Sequence, residues 1–103
     1  MGLDSWVNHE YAKTRWLYAQ FGLAETYVLD DALGDAVDNF ARVAEAYPAS
    51  PRAPEALYRA GDLSEQRKRL DDARKYYNLV VQRYASSPSA RLAQQKLAKL
   101  RRN

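Results

Sequence analysis

The sequence predicts an all-α protein in which antiparallel helix pairs stack side by side. About five helices are expected, arranged as two full repeats and a C-terminal capping helix. Three observations carry this. First, Tyr47-Pro48-Ala49-Ser50-Pro51 returns 37 residues later as Tyr84-Ala85-Ser86-Ser87-Pro88. Around that motif Leu33, Ala36, Val43, Ala53, Ala56 and Leu63 recur as Leu70, Ala73, Val80, Ala90, Ala93 and Leu100, and Phe40 recurs as Tyr77. A fixed period of about 20–50 residues is the mark of a stacked repeat. Second, apolar residues recur at spacings of three and four, the helix period, and no run alternates as a strand would. Third, the repeated motif both stops a helix and starts the next one.

That motif has a mechanism at each end. Proline cannot continue a helix, because it lacks an N–H and its ring meets the preceding turn. Ser50 and Ser87 offer hydroxyls to the free N–H groups of the following helix. Pro51 and Pro88 suit a first helical position, where the missing N–H would be unpaired anyway.

Taken in order, residues 5–14 read as the tail of a preceding repeat, with the first turns of one long helix as the other reading. Thr14 can cap a helix over 15–29 whose stripe is Trp16, Ala19, Gln20, Leu23, Ala24 and Tyr27. Asp30-Asp31 suits a turn and the positive end of the next helix. A helix over 32–47 then buries Leu33, Ala36, Phe40, Val43, Ala44 and Tyr47. The third, over 52–67, carries Ala53, Ala56, Leu57, Ala60 and Gly61. Glycine there costs ~1 kcal/mol relative to alanine, so a close helix approach is expected. After Arg67-Lys68-Arg69, a helix running to Tyr84 turns Leu70, Ala73, one of Tyr76 and Tyr77, Val80 and Val81 inward. The last, from Ser89 to about Leu100, buries Leu92, Ala93, Leu97 and Leu100, with Gln94, Gln95, Lys96, Lys99 and Arg102 outward as a polar cap. The repeat boundaries are 15–51 and 52–88, with 89–103 as the cap.

Composition narrows the function. With 47% hydrophobic and 28% charged residues in 103, the chain suits one soluble globular domain. No cysteine is present, which removes disulfides and thiolate metal sites. No apolar run is long enough to span a bilayer, and no secretory signal pattern opens the chain. The net charge of +3 hides an asymmetry. Residues 1–51 hold three bases against eight acids, and residues 52–103 hold 13 bases against five. The simpler reading is solvated faces. The sharper one is a basic half meeting an acidic surface, including the acidic half of a second copy head to tail.

On these residues the chain resembles the tetratricopeptide repeat family. Leu57, Ala60, Gly61, Leu70, Ala73, Tyr77, Val80 and Tyr84 match one unit of its pattern. Leu23, Ala24, Tyr27, Leu33, Ala36, Phe40, Val43, Tyr47 and Pro48 match another. The period of 37 exceeds the family's usual unit, Ser64 replaces an expected aromatic, and Ala85 an expected proline. The Tyr-Pro-x-Ser-Pro form resembles the variant of bacterial cell-envelope proteins, which implies a periplasmic or envelope setting, with the cytoplasm as the alternative.

The resemblance implies a right-handed stack and a non-enzymatic adaptor or scaffold that binds a peptide or protein segment in a concave groove. Carried onto this chain, the groove is Tyr18, Phe21, Gly22, Glu25 and Val28, then Glu55, Tyr58, Arg59, Asp62 and Glu65, then Gln95, Lys96 and Lys99. An aromatic followed four residues later by an acid, as in Phe21/Glu25 and Tyr58/Asp62, suits a guest carrying basic or amide groups. The competing reading is that Phe21 and Tyr58 pack between hairpins. Trp6 and Trp16 could anchor a partner, with core packing the simpler role. The family's clamp for terminal carboxylates is not expected, since its lysine and asparagine positions hold Phe21, Glu25, Tyr58 and Asp62.

No catalytic, cofactor or metal residue is assigned. His9 is the only histidine, no serine has a base placed beside it, and the paired carboxylates Asp30-Asp31 and Asp71-Asp72 sit at helix starts, where capping explains them. Homo-oligomerisation is compatible with the sequence. The alternative function is polyanion binding through the bases from Arg67 to Arg102, but nucleic acid requires them on one face with interleaved aromatics, and three helices share them.

Overall fold

The computed structural model describes the backbone of residues 2–102 and the side chains of residues 8–101. Five α-helices follow in order: α1 Gly2–Leu29, α2 Leu33–Ala46, α3 Arg52–Gln66, α4 Leu70–Arg83 and α5 Pro88–Arg102. There is no strand among the described residues. The architecture is an all-α, tetratricopeptide-like helical repeat. α2 lies between α1 and α3, α4 lies between α3 and α5, and α3 also touches α5. The result is a slab with principal extents of 57 × 32 × 16 Å.

The start expected at Thr14 does not occur. α1 passes through it unbroken, because Tyr11-Ala12-Lys13-Thr14-Arg15 echoes the later motifs without a proline or glycine to stop the chain. At 1.5 Å per residue α1 is ~42 Å long and α2 about half that. Pairing with α2 therefore covers only the C-terminal half of α1.

The other connections form as the motif requires. The N–H of Arg52 donates to the Ser50 hydroxyl at 3.1 Å, and that of Ala90 donates to the Ser87 hydroxyl at 3.1 Å. The two α-hairpin turns are copies as well. Asp31 and Lys68, 37 apart, both take left-handed backbone (φ 59° and 63°). Each is followed by an N–H that reaches five residues back, Ala32 to Tyr27 O at 2.8 Å and Arg69 to Ser64 O at 2.9 Å, the Schellman closure of a helix end.

Two core layers result. The first gathers Leu17, Ala24, Ala36, Val37, Phe40 and Val43 with Ala56, Ala60 and Leu63. The second gathers Ala44, Ala53, Leu57, Ala73, Tyr77 and Val80 with Ala90, Ala93 and Leu100. Of Tyr76 and Tyr77, it is Tyr77 that is fully buried. The stripe expected on α1 is rotated: Leu17 is buried, whereas Ala19 is exposed and Leu23 is 40% exposed. Leu92 likewise faces solvent at 45%. Gly61 behaves as its position demands, since a Cβ there would lie 2.7 Å from Cε1 of Tyr77.

Candidate functional site

The face shared by α1, α3 and α5 is built by one arrangement repeated every 37 residues. Phe21 of α1 packs edge-on against Phe40 with centroids 5.4 Å apart, and Tyr58 of α3 packs against Tyr77 at 5.6 Å. Both outer rings are half-buried, so they pack between helices and still show one side to solvent. The two roles weighed for them are not exclusive.

The acids four residues on are not free. Arg59 of α3 reaches Glu25 of α1 at 2.6 Å, and Lys96 of α5 reaches Asp62 of α3 at 3.3 Å. Glu65 lies 3.9 Å from Lys96 and accepts the Tyr77 hydroxyl at 2.9 Å. Arg59 also lies 4.8 Å over the Phe40 ring. These pairs form a ladder with the repeat's own offset, each base reaching back one unit. The carboxylates expected to meet a basic guest are thus occupied within the protein. Burial works against the Lys96 ammonium, but the Asp62 hydrogen bond and the Asp62 and Glu65 charges outweigh it and raise its pKa. Burial, with the Glu65 hydrogen bond, pushes the Tyr77 phenol well above its ordinary value near 10.

The remaining groove residues divide clearly. Tyr18 is 78% exposed. Glu55 is exposed and meets Arg52 at 3.3 Å, while Gln95 and Lys99 are exposed on α5. Val28 is half-buried against the first core layer and belongs to the packing rather than to the open face. Between α1 and the α2–α3 connection a cleft of about 510 Å³ opens, lined by Tyr18, Phe21, Gly22 and Glu25 with Pro51 and Arg52. Arg52 lies 5.1 Å over the Phe21 ring. The cleft exists because Gly22 occupies the position held by Arg59 and Lys96 in the next two units, and no atom approaches the place of its missing Cβ within 4 Å. Gly22 was among the expected groove positions, whereas Pro51 and Arg52, which come from the connection rather than from a groove helix, were not.

Trp16 packs edge-on against Tyr47 at 5.4 Å, a core contact. The side chain of Trp6 lies outside the described residues. The bases of the second half stand apart: Arg67 and Arg69 line a cleft of about 630 Å³ beside Asp31, Asp35, Asp38 and Asp72, Arg74 pairs with Asp71, and Lys96 belongs to the ladder. Among the described residues no group of acids or histidine is gathered as a metal would need. No described helix is long and apolar enough to cross a membrane.

With this geometry in place, comparison with known proteins gives one match. Residues 55–87, spanning most of α3, all of α4 and the connection to α5, match the family model described as tetratricopeptide repeat. Searches of curated proteins and of solved structures gave no match to this chain. The molecule has a helical-repeat fold, and its second hairpin is similar to a tetratricopeptide repeat. Such repeats generally mediate protein–protein interactions and are typically non-enzymatic.

Proposed function

We propose that this chain is a protein-interaction module, an adaptor or scaffold, that receives a peptide or protein segment along the face shared by α1, α3 and α5. The units 15–51 and 52–88 form the lining, and 89–103 closes it with Gln95 and Lys99. The observation that supports this most is the cleft at Gly22. It joins exposed Tyr18 and the partly exposed ring of Phe21 to Pro51 and Arg52, in the apolar floor with polar rim that anchors side chains in grooves.

The guest's chemistry differs from the sequence expectation. Glu25, Asp62 and Glu65 already have partners, so apolar area rather than basic charge supplies the affinity.

Selection of a random peptide display library on the full chain tests the reading. Recovery of peptides whose binding weakens at least tenfold, about 1.4 kcal/mol, with Tyr18→Ala or Gly22→Leu supports it. Both positions are exposed, so the fold survives either change. Failure to enrich any peptide, or binding indifferent to both variants, contradicts it.

A further inference from the structure

A surface helix normally turns a polar face to water. α1 does not. Opposite its buried residues run Tyr11, Arg15, Tyr18, Ala19, Gly22 and Thr26, with one charge among them. Tyr11 is 65% and Tyr18 78% exposed, and Leu29, at the end of the same face, is 85% exposed. Tyr11-Ala12 and Tyr18-Ala19 stand seven residues apart, the spacing of a helix seam meant for another helix. In the later units the positions matching Ala19 and Leu23 are Ala56 and Ala60, then Ala93 and Leu97, and in each case they pack on the preceding helix. On α1 they are bare.

We propose that a second copy of this chain covers this face, the two α1 helices packing antiparallel about a two-fold axis beside Tyr18 and Ala19. Self-complementarity singles out that occupant. The larger side chains Tyr11, Arg15 and Tyr18 lie N-terminal to the axis and the smaller Ala19, Gly22 and Thr26 lie C-terminal, with Leu29 at the far end falling opposite the smaller Asn8. Antiparallel pairing sets each large residue over a small one of the other copy: Tyr18 on Ala19, Arg15 on Gly22, Tyr11 on Thr26. Arg15, which stacks over Tyr11 at 5.8 Å and has no ion pair among the described residues, then comes within one turn of the other copy's Glu25.

Head-to-tail stacking lacks this fit. The ladder position that holds Glu25 and Asp62 becomes Lys99, and the one that holds Arg59 and Lys96 becomes Gly22, so the two ends offer each other no pair. α5 also presents Gln94 and Arg101 where α3 has Leu57 and Ser64.

The seam from residue 8 to 29 is ~33 Å long and ~10 Å wide, on the order of 300 Å² of footprint per copy, against about 800 Å² for a stable interface. The dimer is accordingly weak and concentration-dependent.

Sedimentation equilibrium of the full chain from micromolar to millimolar concentration tests this. A monomer–dimer equilibrium is expected, weakened at least tenfold, about 1.4 kcal/mol, by Ala19→Glu or Arg15→Glu, with circular dichroism unchanged because both sites are exposed. The chain has no cysteine, so Ala19→Cys should oxidise to a linked dimer while Ala12→Cys, far from the axis, should not. A monomer at millimolar concentration overturns the proposal, as do an open series of oligomers, a dimer indifferent to Ala19→Glu, or equal linking through Ala12→Cys. Tyr18 and Gly22 line both this seam and the cleft, so the second copy and a guest compete for them, and the groove reading is tested apart from the dimer on monomeric Ala19→Glu, which must still bind selected peptides.

Discussion

Replacing Gly61 by alanine tests the repeat packing at its tightest point. In an exposed helix the change would gain ~1 kcal/mol from backbone propensity. Here the new methyl carbon would sit 2.7 Å from Cε1 and 2.8 Å from Cδ1 of Tyr77, so the ring must retreat by about 1 Å to reach ordinary contact. The ring has nowhere easy to go. It is fully buried, Tyr58 lies on one side, and its hydroxyl is held by Glu65. Overpacking of this kind costs ~1–3 kcal/mol, and a pinned ring belongs near the upper end, which leaves a net loss of about 1–2 kcal/mol. Urea denaturation should show that loss, with a fall in Tm of ~4–8 °C per kcal/mol.

The first repeat shows what releases the strain. The corresponding residues there are Ala24, Phe40 and Val28, so no hydroxyl tethers the ring and alanine fits. Adding Tyr77→Phe to Gly61→Ala should therefore restore part of the loss. Gly22→Ala, with nothing within 4 Å, should stabilise by ~1 kcal/mol. A Gly61→Ala protein as stable as the wild type would refute the reasoning.

Other perturbations follow from the same contacts. Ser50→Ala removes a buried cap and should cost ~1–2 kcal/mol, with Ser87→Ala nearer ~1 kcal/mol, read by thermal unfolding. Ser64→Ala replaces a buried hydroxyl without a hydrogen-bond partner by hydrogen and should stabilise by ~1 kcal/mol in urea denaturation. Because Tyr77 holds its proton more tightly folded than unfolded, its contribution is complete below pH ~10 and fades as pH rises beyond that. Lys96, also raised, acts in the same direction. Stability measured against pH should therefore fall in alkali, less steeply in Tyr77→Phe.

Much of the fold was legible because the repeat states its rules twice. Proline and serine at fixed places set where α2 and α4 end and where α3 and α5 begin, and a close helix approach at Gly61 was expected, though not that the ring of Tyr77 makes it. α1 was harder for a physical reason. It carries large apolar residues on both faces, so the helix period could not say whether Leu17 or Leu23 lies inside, and the unbroken helix hid in an echo of the motif that lacks its proline. At the site, the equivalence of Phe21 and Tyr58 was readable from the offset, but the ion pairs of the carboxylates were not. Their partners Arg59 and Lys96 lie 34 residues on, so they are found only when acids and bases are compared across units. The Gly22 cleft likewise arises from what its two counterparts carry.

The most direct test of the central claim maps the amide shifts of the isotopically labelled chain as a selected peptide is added. The account predicts changes at Tyr18, Gly22, Glu55 and Arg52, continuing to Gln95 and Lys99. Changes confined to the outer faces of α2 and α4, at Asp38, Arg42, Lys75 and Asn78, would contradict it.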